Sequence, residues 1–193
     1  MSHSLFAIII GAILVNNFIL TRFLGLCPFF GVSKKTESAF GMGMAVIFVM
    51  GIASATTWAI YTYLLVPLHI EYLQIISFIL TIAVLVQFVE LFLKKFNDAL
   101  YKSLGIYLPL ITTNCAILGV AFLNVQENYN FIQSLVFGIS AGVGFLLALL
   151  LMSGIRERLE FAKVPKSMQG IPIAFIIAAL MSLAFLAFSG MIK

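Results

Sequence analysis

Residues 131–153 read FIQSLVFGISAGVGFLLALLLMS, twenty-three positions without a charged side chain. A helix rises about 1.5 Å per residue, so roughly 20 apolar residues cross the hydrocarbon core of a bilayer. This stretch reads as one complete membrane span. Five more apolar segments surround it, at 5–20, 39–65, 72–93, 104–123 and 171–192. Short polar breaks divide them: Lys34-Lys35-Thr36-Glu37, Val66-Pro67-Leu68-His69, Lys94 through Lys102, Asn124 through Asn130, and Arg156 through Gln169 with Pro165.

Composition agrees. The chain has 193 residues, 63% hydrophobic and 9% charged, with a mean hydropathy of +1.16. Soluble domains run about 45–50% apolar and about 25% charged. Lipid is therefore the solvent, and six spans leave no room for a soluble domain. The expected fold is an all-α membrane protein with a single transmembrane domain over residues 1–193. No cleavable leader is expected, because the first apolar stretch lacks a basic n-region and a small-residue cleavage site.

The net charge of +4 does not imply nucleic acid. Arg22, Lys34 and Lys35 fall in the first-to-second connection. Lys94, Lys95 and Lys102 fall in the third-to-fourth, and Arg156, Arg158, Lys163 and Lys166 in the fifth-to-sixth. Of the 11 Lys and Arg, only Lys193 lies elsewhere. The positive-inside rule then puts these three connections in the cytoplasm and both termini outside.

The two halves carry a weak repeat, about 1–97 and 98–193. Cys27-Pro28-Phe29-Phe30-Gly31-Val32 resembles Cys115-Ala116-Ile117-Leu118-Gly119-Val120. Phe40-Gly41 matches Phe137-Gly138 and Phe78 matches Phe175, both offset by 97 residues. Gly41-x-x-x-Ala45 thus answers Gly138-x-x-x-Gly142, a spacing that lets spanning helices approach closely. Three spans per half is an odd number, so the halves run in opposite senses, as inverted repeats.

Each of the two cysteines stands beside helix breakers. Gly25 and Pro28 flank Cys27; Pro109 and the polar run Thr112-Thr113-Asn114 precede Cys115. Broken helices survive at membrane depth only where protein or a cavity covers them. A lone buried cysteine is usually a small hydrophobe. Two at matching repeat positions point further, to a site shared across the pseudo-symmetry axis. Two thiolates cannot close a tetrahedral metal site, and an iron–sulfur cluster normally takes four. The pattern implies a half-site completed by another chain. Cys115 lies near mid-span, whereas Cys27 would approach the cytoplasm on a straight helix. A shared site therefore requires the first span to break near Asn16-Asn17 or Gly25.

These stretches also resemble a known family. Leu24-Gly25-Leu26-Cys27-Pro28-Phe29-Phe30-Gly31-Val32-Ser33-Lys34-Lys35 and Tyr107-Leu108-Pro109-Leu110-Ile111-Thr112-Thr113-Asn114-Cys115-Ala116 are similar to signatures of the A subunits of Rnf complexes. Leu14-Val15-Asn16-Asn17-Phe18 and Gly154-Ile155-Arg156-Glu157-Arg158 are similar as well. The E subunits of sodium-translocating NADH:quinone reductases (Nqr) are close relatives. The resemblance implies a subunit of a ferredoxin:NAD oxidoreductase that drives sodium ions or protons across a bacterial or archaeal cytoplasmic membrane. It implies Cys27 and Cys115 as two of four ligands to an intramembrane [2Fe–2S] cluster. The other two come from a homologous E subunit of opposite topology, with further Rnf subunits (B, C, D and G) as partners. The cluster passes electrons between cytoplasmic iron–sulfur subunits and flavins on the other side. Gly25, Pro28, Gly31, Thr113, Asn114 and Gly119 are the expected supporting residues.

Two other readings of the residues stay open: a small secondary transporter, which also uses inverted repeats and broken helices, and a scaffold whose cysteines merely pack. Asn16, Asn17 and Asn114 are expected to bridge helices. Glu90 is expected to pair with Lys94 at i,i+4. Glu71 and His69 fall at the outer surface, and Arg22 at an interface. No phosphate-binding loop, Ser-His-Asp set or haem-type histidine pair is present.

Overall fold

The computed structural model describes residues 5–96 and 108–188. Among them lie eight α-helices and no strand: α1 (Leu5–Ile10), α2 (Leu26–Val32), α3 (Thr36–Ile60), α4 (Gln74–Phe96), α5 (Leu108–Thr112), α6 (Cys115–Gln126), α7 (Phe131–Glu160) and α8 (Ile171–Leu186). α1 and α3 each continue into a π-helical turn, Gly11–Val15 and Tyr61–Leu65. Among the described residues three helical stretches are long and apolar enough to cross a membrane: Thr36–Leu65, Glu71–Leu91 and Phe131–Glu160. The start of the fourth expected segment, Lys102 in the loop before it, and the end of the sixth lie outside the described residues.

α3 and α7 form the backbone of the bundle and cross antiparallel. Gly43 of α3 faces Leu146, Gly142 faces Ile47, and Gly138 faces Met50 and Ser54. A Cβ on Gly142 would stand 2.7 Å from the Ile47 Cα, and one on Gly138 2.9 Å from the Met50 carbonyl. Small residues at the crossing thus set how closely two apolar helices approach. On α3 close contacts fall at Gly43 and Gly51.

Hydrogen bonds tie both ends of this pair. At one end Thr36 opens α3, with its N–H and hydroxyl both donating to Glu157 Oε1, at 2.8 and 2.7 Å. At the other, Trp58 Nε1 donates to the Tyr129 carbonyl at 2.9 Å, and its ring meets Phe131 edge-on at 5.3 Å. The first-to-second and fifth-to-sixth connections therefore share one end of the bundle. α7 runs on to Glu160, past the expected boundary at Ser153. Its last turn stays helical because Arg156 and Glu157 find partners on α2 and α3.

The first expected span is broken where the sequence requires. The helix ends at Asn16, whose N–H reaches back to Gly11 O at 2.7 Å. Asn17 is completely buried and satisfies the freed backbone. Its Nδ2 donates to Ile13 O (3.2 Å) and Gly144 O (2.8 Å). Its Oδ1 accepts from the N–H groups of Ile19 (3.1 Å) and Leu20 (3.4 Å). From α8, Ser182 Oγ donates to Leu20 O at 2.6 Å. Phe18, Ile19 and Leu20 are each 1% exposed, so protein rather than lipid covers this irregular segment, as membrane physics demands. Positive φ at Phe23 and Gly25 then turns the chain into α2.

Candidate functional site

α2 and α6 each begin at a cysteine loop. Cys27 is the second residue of α2, and Cys115 the first of α6. Pro28 fits the first turn of α2 because a helix leaves its first N–H groups unpaired anyway. The first regular bond of α2 runs from Phe29 N–H to Gly25 O, at 3.3 Å. α6 starts at Asn114, whose Oδ1 accepts from the Ala116 N–H at 3.1 Å. This cap closes the break after α5. Asn114 is 4% exposed, and its Nδ2 has no partner among the described residues.

The two loops meet. Gly25 N–H donates to Cys115 Sγ at 3.0 Å. Two residues of chain span at most about 7 Å, so the Cys27 α-carbon lies within about 12 Å of that sulfur. The contact needs glycine. Gly25 has φ +82°, and a Cβ there would lie 2.8 Å from Phe145 Cε2, 3.0 Å from Asn114 Oδ1 and 3.2 Å from Ala116 Cβ. Gly119, one turn into α6, leaves room for Leu24, whose Cδ1 would be 2.7 Å from an added Cβ. Gly31 differs: its nearest neighbour, Leu110 Cδ1, would be 3.8 Å away. Packing within this chain therefore does not demand glycine at position 31.

Both thiols are exposed, although the loops that carry them are packed. Among the described residues no group of three or more His, Cys, Asp or Glu side chains gathers. The donor set is thus two exposed cysteines on adjoining loops, with one backbone N–H already aimed at the Cys115 sulfur. The electropositive start of α6 points the same way and favours negative charge there.

The family described as "Rnf-Nqr subunit, membrane protein" matches residues 5–192. The chain belongs to the Rnf-Nqr family. It is 58% identical to the A subunit of the ion-translocating oxidoreductase complex of Syntrophotalea carbinolica, covering 98% of each chain. It is 58% identical to the A subunit of the Na(+)-translocating ferredoxin:NAD(+) oxidoreductase complex of Acetobacterium woodii, over 97% of this chain and 98% of that one. To the A subunit of the ion-translocating oxidoreductase complex of Serratia proteamaculans it is 60% identical, over 95% of each.

Of the expected supporting residues in this Rnf-Nqr chain, Gly25, Asn114 and Gly119 form the junction between the loops, and Pro28 is buried at the start of α2. Thr113 is exposed in the break beside Asn114. Glu90 accepts a hydrogen bond from Gln87 Nε2 at 3.0 Å; the Lys94 side chain expected as its partner lies outside the described residues.

Sequence reasoning gives Arg156 only the role of a topology marker, and the structure gives it another. Arg156 Nη1 donates to Phe30 O (3.0 Å) and Ser33 Oγ (2.9 Å). It thereby holds the C-terminal end of α2, the helix that carries Cys27. Its place in Gly154-Ile155-Arg156-Glu157-Arg158 is the only sequence signal. α2 is held from another side by Phe30, whose ring lies 4.3 Å from that of Phe175.

Proposed function

We propose that this chain is the A-type membrane component of an ion-translocating ferredoxin:NAD oxidoreductase of the Rnf type. In this reading Cys27 and Cys115 supply half the ligands of a [2Fe–2S] cluster. A homologous chain of opposite topology supplies the other half. The observation that carries it is the Gly25 N–H to Cys115 Sγ contact, which joins the two cysteine loops from distant parts of the chain. The names of the three relatives support the complex, the redox chemistry and the ion movement.

The residues fit a half-site. Cluster iron takes thiolate ligands, and both cysteines are exposed on this chain. When bound, the cluster would supply a one-electron carrier within the membrane. This chain's residues would hold it in place. Cys27 and Cys115 would bind the iron, and the Gly25 N–H steadies one sulfur and favours its negative charge. Asn114 fixes the start of α6, and Arg156 fixes the end of α2. Buried Phe18 to Leu20 keep lipid from the irregular backbone behind the site.

An inverted repeat belongs to this reading. Both halves contain a helix broken just before a cysteine, followed by a 30-residue helical stretch, and the two stretches cross antiparallel. In the same reading the basic connections face the cytoplasm of a bacterial or archaeal cell, consistent with Thr36 and Glu157 meeting at one end.

The test is serine at Cys27, at Cys115 and at both, in the assembled complex. Iron content, the electron paramagnetic resonance of a [2Fe–2S] centre and ferredoxin-to-NAD electron transfer should all fall. A double variant that keeps the signal and the activity sinks the ligand assignment. Iron-free protein that takes up a solute alone would favour a transporter instead.

A further inference from the structure

A cavity of about 460 Å³ opens beside the end of α7 and the start of α8. Its walls carry two cations, Lys34 and Arg156, and one carboxylate, Glu160. Ala162, Gly170 and Ile173 also line it. Nothing in the redox reading uses this space.

Several features of these walls point to one kind of ligand. Both hydrogen bonds that Arg156 makes among the described residues leave from Nη1, so its other N–H groups can reach a further acceptor, which would share the guanidinium charge with the nearby Glu160 carboxylate. α8 starts at Gly170 with no side-chain cap, and a Cβ at Gly170 would meet nothing within 4 Å. Pro172 in the first turn carries no N–H, so Ile171 and Ile173 supply the N–H groups that a helix start leaves without an intrahelical partner, the kind of donor that binds anions. The cavity also lies between the end of one apolar segment and the start of the next, at headgroup depth in the membrane reading. The apolar Ile173 continues its wall along α8.

Charge selects the class. Two cations against one carboxylate leave a single positive charge. That balances a phosphodiester monoanion better than a phosphate monoester or a free dianion. The Glu160 carboxylate would repel a second negative charge, and it can accept a hydrogen bond from a hydroxyl of a glycerol headgroup. Basic pockets between spanning helices on the cytoplasmic side suit lipid phosphates.

We propose that this cavity binds the phosphodiester of an anionic, hydroxyl-bearing phospholipid of the phosphatidylglycerol type. Lys34 and Arg156 are its counter-charges and the start of α8 is its N–H donor. Because Arg156 also holds α2, the lipid sits one side chain from the helix that carries Cys27.

Native mass spectrometry of the purified complex tests this, with added phosphatidylglycerol, phosphatidylcholine or inorganic phosphate. Wild type should retain phosphatidylglycerol and release phosphatidylcholine. Lys34→Glu reverses a counter-charge and Ala162→Trp fills the space; each should weaken retention at least about tenfold. Lys95→Glu makes the same charge change away from the cavity walls and should leave retention unaltered. Equal retention of the two lipids in wild type overturns the proposal without any variant. Wild-type retention in both cavity variants, equal weakening by Lys95→Glu, or displacement of the lipid by equimolar inorganic phosphate also overturns it.

Discussion

Replacing Gly25 by alanine probes the junction of the cysteine loops most directly. Two costs combine. An L-residue at φ +82° pays about 1–2 kcal/mol for left-handed backbone. The new Cβ also stands 2.8 Å from Phe145 Cε2 and 3.0 Å from Asn114 Oδ1, and Phe145 is completely buried. Overpacking of this kind costs about 1–3 kcal/mol. The expected local penalty is about 2–5 kcal/mol. The chain can lessen it only by moving the Gly25 N–H off Cys115 Sγ or by disturbing the Asn114 cap. Gly31→Ala is the matched control: its Cβ meets only an ordinary contact at 3.8 Å, and inside a helix it should leave stability unaltered or raise it by up to about 1 kcal/mol. Thermal unfolding of the purified complex and its iron-to-protein ratio give the readout. Gly25→Ala should lower the midpoint by several degrees and lose most of the iron, while Gly31→Ala does neither. Adding Phe145→Leu should recover part of the loss, because it relieves the overpacking but not the backbone. If Gly25→Ala matches wild type in both measurements, the loops are not held as described. Equal damage from Gly31→Ala would show that any added methyl near Cys27 is harmful, whatever the packing.

Asn17→Leu removes donors to Ile13 O and Gly144 O and an acceptor for two N–H groups. Each buried group left unpaired costs about 1–3 kcal/mol, so the midpoint should fall steeply, whereas changing the exposed Asn16 should barely move it. Gly142→Leu drives a side chain into the Ile47 backbone and should abolish assembly, read as loss of the complex on size-exclusion chromatography. Arg156→Gln weakens the hold on Phe30 O and Ser33 Oγ. In iron-free protein, where neither thiol is ligated, maleimide should then label Cys27 several-fold faster while Cys115 labelling stays constant; equal acceleration at both would mean general loosening.

Much of this molecule is written locally. Runs such as 131–153 can be buried only in lipid or in other apolar helices, and the polar breaks between runs set the helix ends. The first break is also legible. Cys27 lies too far along a straight helix to share a site with Cys115, and Asn16-Asn17 marks where the chain turns. Pro28, Gly25 and Asn114 announce irregular backbone, since each has a backbone role that a regular helix interior does not supply.

Tertiary structure alone decides which partners those residues take. Asn17 could face any helix; it bonds to Gly144, 127 positions away. Gly25 reads as a breaker, yet what forbids a side chain there is Phe145, brought in by the packing of α7. Arg156 reads as a loop charge, and only the arrival of α7 beside α2 makes it a helix cap. The sequence by itself determined a lipid-solvated bundle with two interrupted helices, because hydropathy and helix breakers act over a few neighbouring residues. The meeting of the cysteine loops was decided by the tertiary structure, because it depends on close approach between segments about ninety residues apart.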